Sequence, residues 1–225
     1  MIPAAALDFL RGLVANNNKA WFEANRASYE ALIKAPIAAL VSAVSAELRR
    51  RELPLEGDAK RSTFRIHRDV RFSKDKSPYK TAVGVVWYRQ GSGKDGSGVL
   101  YFHLAAEGCF AAAAFYNPEP EVLDCLRERI RVHPELFLRI EAELAGKGLT
   151  LSRAGALSRM PRHFEDLRES EVAAALRLRS FVVRRDLSPK QVQGRGLVPA
   201  IAQLGADALP LLRFGWDAVD EVRRP

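Results

Sequence analysis

Cysteine is almost absent from this 225-residue chain: Cys109 and Cys125 are its whole complement. Two are too few for a disulfide framework and stand in no zinc-ligand spacing, so both are expected as reduced core residues. No apolar run reaches the roughly eighteen residues that would suggest a membrane span. The opening MIPAAALDFLRG also lacks the basic start and long apolar stretch of a secretory signal. A cytoplasmic location with no membrane partner is the resulting expectation. The four histidines, His67, His103, His133 and His163, never approach one another at a spacing such as H-x-x-x-H, so the sequence supports no metal site and leaves any cofactor unspecified. Neither G-x-x-x-x-G-K-[ST] nor G-x-S-x-G occurs. Gly91 to Gly96 does satisfy G-x-G-x-x-G, but the dinucleotide fingerprint needs a helix after it and here strand-like runs stand on both sides. A hairpin tip is the expected structure there.

What the chain does contain is core-forming residue and positive charge. Its 48% hydrophobic content suffices for one continuous core at this length, and no linker, repeat or low-complexity tract divides it, so residues 1–225 are read as a single domain. Residues 1–52 read as a helical subassembly. Phe9, Leu10, Leu13 and Val14 recur at helical spacing up to the run Asn16-Asn17-Asn18, Trp21 to Ile33 carries a second helix, and Pro36 suits the first turn of a third. From Ser62 the period changes to two, with Phe64, Ile66, Val70 and Phe72 on one face of an expected strand and Arg68 falling among them. Ala82 to Arg89, Val99 to Ala106 and Cys109 to Tyr116 follow as strands apolar on both faces, which predicts cover on both sides. Their short connections predict antiparallel hairpins over residues 62–117. Residues 119–225 are expected to be mainly helical, with helices opened by Pro120 and Pro134, another over Glu169 to Leu178, a short strand at Phe181 to Val183, and helix again over Leu197 to Val219. The fold class is therefore α+β, a mainly antiparallel meander packed with N-terminal and C-terminal helices.

The net charge of +8 is concentrated. Between Lys60 and Lys80 eight cations face only Asp69 and Asp75, and four of the nine lysines of an arginine-rich chain fall within that segment. The core of it, RIHRDVRFSKDKSPYK from Arg65 to Lys80, holds the densest polar chemistry in the molecule. Arginine forks grip phosphate or carboxylate bidentately, lysines supply point charge, and a carboxylate among them orients an arginine or serves as a base. Arg65, Arg68, Asp69, Arg71, Asp75, Lys76, Tyr79 and Lys80 are thus the candidate ligand-binding residues. A solvated basic edge that discourages strand pairing would share this composition. Arg68 argues against it, because an arginine on an apolar face requires a paired carboxylate or a lined cavity. Asn25, between Trp21 and Tyr29, is a weaker candidate for a supporting hydrogen bond, and the arginines Arg177, Arg179, Arg184 and Arg185 are a second basic stretch.

The string R-x-x-R-D-x-R-F-x-x-D-K-x-x-Y, here Arg65, Arg68, Asp69, Arg71, Phe72, Asp75, Lys76 and Tyr79, resembles that of a conserved-hypothetical bacterial family with fungal relatives, a domain of unknown function. Asn16 to Tyr29 and Phe115 to Arg127 are similar to the same family. The resemblance implies no activity, substrate or cofactor. From the residues themselves the leading reading is a protein that holds a phosphate- or carboxylate-bearing small molecule, and if it does chemistry, phosphoryl transfer or hydrolysis suits such an electrostatic clamp. A nucleic-acid binding module, with Phe72 and Tyr79 stacking on bases, is the alternative. A third is a buried ion-pair network joining the N-terminal helices to the sheet.

Overall fold

The structure, a computed structural model, describes residues 1–93 and 96–223. Helices α1 (Ala4–Ala15), α2 (Lys19–Ala24), α3 (Arg26–Tyr29) and α4 (Ala35–Arg50) open the chain. Asn18 caps α2 by accepting the Trp21 amide at 2.9 Å, and Asn25 ends it. Pro36 has no amide to offer the carbonyl of Leu32, and the turn ahead of it, Glu30–Lys34, widens into a π-turn, so the helical path runs through to Arg50. At 25 residues with a mean hydropathy of 1.6 over its most apolar part, Arg26–Arg50 matches a membrane span in length and composition. Its apolar residues Ile33, Ile37, Leu40, Val41, Val44 and Leu48 are nevertheless buried within the protein.

Five antiparallel strands follow, β1 (Leu55–Glu56), β2 (Ala82–Arg89), β3 (Val99–Ala105), β4 (Cys109–Phe115) and β5 (Phe181–Leu187), in spatial order β1-β2-β3-β4-β5. The meander is thus the arrangement expected from the short hairpins. Between β4 and β5 the chain makes a helical excursion through α5 (Pro120–Val132), α6 (Pro134–Gly146), a 3-10 turn (Arg162–Leu167) and α7 (Ala173–Leu176). It closes with α8 (Pro189–Gln193), α9 (Leu197–Asp207) and α10 (Leu209–Arg223). The helix expected over Glu169 to Leu178 shrinks to the single turn α7, and Arg127 of α5 bonds the carbonyls of Leu176 at its end and of Leu178 just beyond it.

The two faces of the sheet differ. Val83, Val85 and Trp87 of β2, Leu100, Phe102 and Leu104 of β3, and Ala113 and Phe115 of β4 point one way and are fully buried or nearly so. The helices α4, α9 and α10 pack there, and the Trp87 indole reaches the Val41 carbonyl of α4 at 3.3 Å. The opposite face carries Gly84 opposite His103 and Tyr101 opposite Ala112. Tyr101 and His103 are only half-buried. The cover on both sides that the apolar strands predicted extends over much of this second face, where Val86, Tyr88, Ala105, Ala112 and Ala114 are buried. Residues 62–81 wall the part of this face around Ala82, Gly84, Tyr101 and His103, which make the floor of a groove.

Candidate functional site

The expected strand from Ser62 to Phe72 is cut short at Arg68. Amide-to-carbonyl bonds from Val86 to Ser62 (2.9 Å), Phe64 to Gly84 (3.0 Å), Lys80 to Ile66 (2.7 Å) and Arg68 to Pro78 (2.9 Å) lay residues 62–68 antiparallel against 78–86. Beyond Arg68 local bonds win. The Asp69 carboxylate accepts the Arg71 amide (3.3 Å), and the Asp75 carboxylate accepts both the amide (2.9 Å) and the hydroxyl (2.6 Å) of Ser77. Aspartate closing on a backbone amide two residues ahead competes directly with a strand ladder. Phe72, assigned to an apolar face by its period, is consequently 97% exposed at the loop tip.

This folded-back segment walls a groove of about 480 Å³ on the second face of the sheet. Arg68, Asp75, Ser77, Tyr79, Lys80 and Thr81 line one side, Val14, Asn17 and Phe64 contribute from the rim, and Ala82, Gly84, Tyr101 and His103 form the floor. Of the eight candidates, Arg68, Asp75, Tyr79 and Lys80 therefore come together. Arg65, Asp69, Arg71 and Lys76 do not: Arg65 is exposed, Arg71 pairs with Asp69 at 2.7 Å and lies over the Phe72 ring, and the Lys76 ammonium donates to the Val70 carbonyl at 3.0 Å.

Arg68 donates to the Asp75 carboxylate, with side-chain exposures of 27% and 59% respectively. Its carboxylate partner is thus inside the same loop and in contact with solvent, so this pair is no buried link between helices and sheet. Bonds from Ser77 and then Arg68 hold the Asp75 carboxyl well below the usual carboxylate range, which keeps it ionised. Lys80 sits with its ammonium 5.6 Å from the centre of the Phe64 ring. Tyr79 is buried and stacks on Phe22 of α2 at 4.1 Å. The Asn17 amide clamps its backbone, donating to the Tyr79 carbonyl at 2.9 Å and accepting its amide at 3.1 Å. The N-terminal helices are tied to the basic segment by this clamp and stack. Asn25 bonds the Trp21 carbonyl at 2.9 Å, a helix-ending contact, and Arg185 turns to the helical side to pair with Asp207 at 3.2 Å.

Tyr101 and His103 are the groove residues that the sequence reading did not select. Their signal was present in β3, where Tyr101 and His103 alternate with Leu100, Phe102 and Leu104. The Tyr101 hydroxyl and His103 Nδ1 are 3.1 Å apart, and the imidazole stacks on Phe110 at 4.7 Å with the Arg184 guanidinium 5.0 Å from that ring. Burial is the largest effect on His103 and lowers its pKa, opposed by Glu107 and reinforced more weakly by Arg184, while burial raises that of Tyr101. Both are neutral at pH 7. Gly84 lies beneath them: a Cβ there would meet the Tyr101 hydroxyl at 2.8 Å and the Phe64 ring at 3.0 Å. Its lack of a side chain lets the two rings close over the strand.

The lowered His103 pKa carries a sign. The unfolded chain protonates this imidazole near its ordinary value of about 6.5 while the folded state resists, so below that pH the unfolded state binds more protons and stability falls. Urea midpoints measured at pH 7.5 and 5.5 should show a loss for the wild type, and His103→Gln should flatten it.

Among the described residues no three His, Cys, Asp or Glu side chains gather as a metal site. The loop joining β2 to β3 contains the glycine triplet, with Gly91 and Gly93 at positive φ, while Lys94 and Asp95 lie outside the described residues. Strands on both sides of it place that motif in a hairpin connection. The model of the conserved hypothetical protein family DUF2461 matches residues 5–214. The chain belongs to the DUF2461 family. No curated protein and no solved structure is matched by the chain. The match runs from α1 into the first turns of α10, so the sheet, the groove and the segment that walls it all belong to the DUF2461 unit.

Proposed function

We propose that the groove binds a small organic anion, a phosphate or carboxylate, through Arg68 and Lys80. The observation that carries this reading is convergence: of the cations packed into residues 60–80, Arg68 and Lys80 line one concave site, whereas Arg65, Arg71 and Lys76 lie outside it. A polymer track would instead spread its cations and stacking rings along an exposed path. Tyr79, one of the two rings that such a track would use, is buried against Phe22. The partner on this reading is a cytoplasmic small molecule, with neither a membrane nor a nucleic acid required.

Asp75 orients the guanidinium, and its solvent contact means that it can lose Arg68 without becoming a buried unpaired charge. Arg68→Gln should therefore fold normally. Isothermal titration with phosphate and citrate at low and moderate salt should show binding by the wild type and at least about tenfold weaker binding by Arg68→Gln, the size expected when a charge-assisted hydrogen bond is lost. Absence of any anion binding, together with oligonucleotide binding that falls steeply with salt, would replace this reading with the polymer one.

A further inference from the structure

We propose that the ligand is a hydroxyl-bearing anion of monosaccharide-phosphate size, selected by Tyr101 and His103 at the floor of the groove. The inference rests on the reading of Arg68 and Lys80 as the anion clamp and adds what occupies the rest of the space. A bare inorganic anion would fill only part of a groove of about 480 Å³, a volume within the range of sites for small organic ligands.

The remaining lining is neutral and hydrogen-bonding. The Tyr101 hydroxyl and His103 Nδ1 lie 3.1 Å apart, and between them they satisfy one donor and one acceptor internally. If the phenol donates to Nδ1, the phenolic oxygen is left as an acceptor and Nε2–H as a donor. If Nδ1–H donates to the phenol, the hydroxyl is left as a donor and Nε2 as an acceptor. Either tautomer thus presents one donor and one acceptor to the ligand, the complement of an alcohol, which both donates and accepts. A second carboxylate or phosphate would use only the donor. Ser77 and Thr81 add further hydroxyls to the lining. Ring-edge atoms of Phe64, 40% exposed, and of Tyr101 both come close to Gly84 and give the groove apolar surface for the C–H groups of a sugar. Asn17 does not take part, since both ends of its amide are held by the Tyr79 backbone. Burial keeps His103 neutral, so the floor adds no charge to the clamp.

Titration of the full chain with glucose 6-phosphate, ribose 5-phosphate, inorganic phosphate and glucose tests this. The sugar phosphates should bind at least about tenfold more tightly than inorganic phosphate, and glucose more weakly than either sugar phosphate. Tyr101→Phe should erase most of that preference, and His103→Leu should do the same should Tyr101→Phe not fold by circular dichroism. Equal affinity for inorganic phosphate and both sugar phosphates, or a preference untouched in a folded floor variant, overturns the inference while the anion clamp stands. Binding of no anion at all overturns the clamp, and the inference with it.

Discussion

Arg127→Met should destabilise the fold by about 3–5 kcal/mol, read as a lower urea midpoint with an unchanged denaturant slope. Arg127 extends from α5 and is buried, with its Nε donating to the Leu176 carbonyl at 2.9 Å and its Nη2 to the Leu178 carbonyl at 3.0 Å. Those carbonyls belong to the end of α7 and the approach to β5, where Leu176 and Leu178 are themselves buried. Methionine fills much of the same volume but offers neither donor, so two carbonyls stay dry and unpaired at about 1–3 kcal/mol each. Asp124, 3.7 Å away and largely exposed, contributes little to the guanidinium's position. A loss below about 1 kcal/mol would mean that water reaches these carbonyls once the arginine is gone.

The second large effect is expected at the end of the β2–β3 connection. Gly98 has φ +78°, and a Cβ there would lie 2.4 Å from the Phe115 ring and 2.7 Å from the Trp216 indole nitrogen. That nitrogen donates to the carbonyls of Ser97 and Gly98, each at 3.1 Å, and so pins the connection to α10. Gly98→Ala adds left-handed strain to an overpacked contact between two buried rings and should cost about 3–4 kcal/mol. Gly91 has a nearly identical φ of +79° but open space where its Cβ would go. Gly91→Ala should cost only about 1 kcal/mol, the strain alone. The difference between these two thermal or urea midpoints isolates the packing contribution. Equal losses would show that Phe115 and Trp216 give way. The same pair separates the glycine triplet from ligand binding, because Gly91→Ala should leave phosphate affinity unchanged.

The physical origin of what was legible lies in periodicity and punctuation. Apolar runs of strand length between turn signals identified β2, β3 and β4, Pro120 and Pro134 marked the starts of α5 and α6, and short connections implied the antiparallel order. β1 escaped because two residues carry no period. In residues 62–72 the period-two pattern was real but misleading: Phe64 and Ile66 do lie along the sheet, yet Asp69 and Asp75 bond nearby amides and turn the chain away before Val70 and Phe72 can pair. Local side-chain bonds of this kind are not visible to a pattern of apolar spacing.

Composition alone singled out residues 65–80 as the densest polar stretch, and the period-two pattern placed Arg68 among apolar neighbours, where a carboxylate or a cavity was expected. Asp75 and the groove supply both. Which cations converge was decided by tertiary structure, since Arg68 and Lys80 face inward only because the segment folds back on itself, while Arg71, three residues from Arg68, closes on Asp69 in solvent. The floor was decided there too. Tyr101 and His103 stand far along the chain from the basic segment and share a site with it because β2 and β3 pair in the register that sets Gly84 opposite His103. A local pattern determines which elements form and what charge they carry, whereas a site assembled from distant residues depends on strand register and packing, which no single stretch of sequence contains.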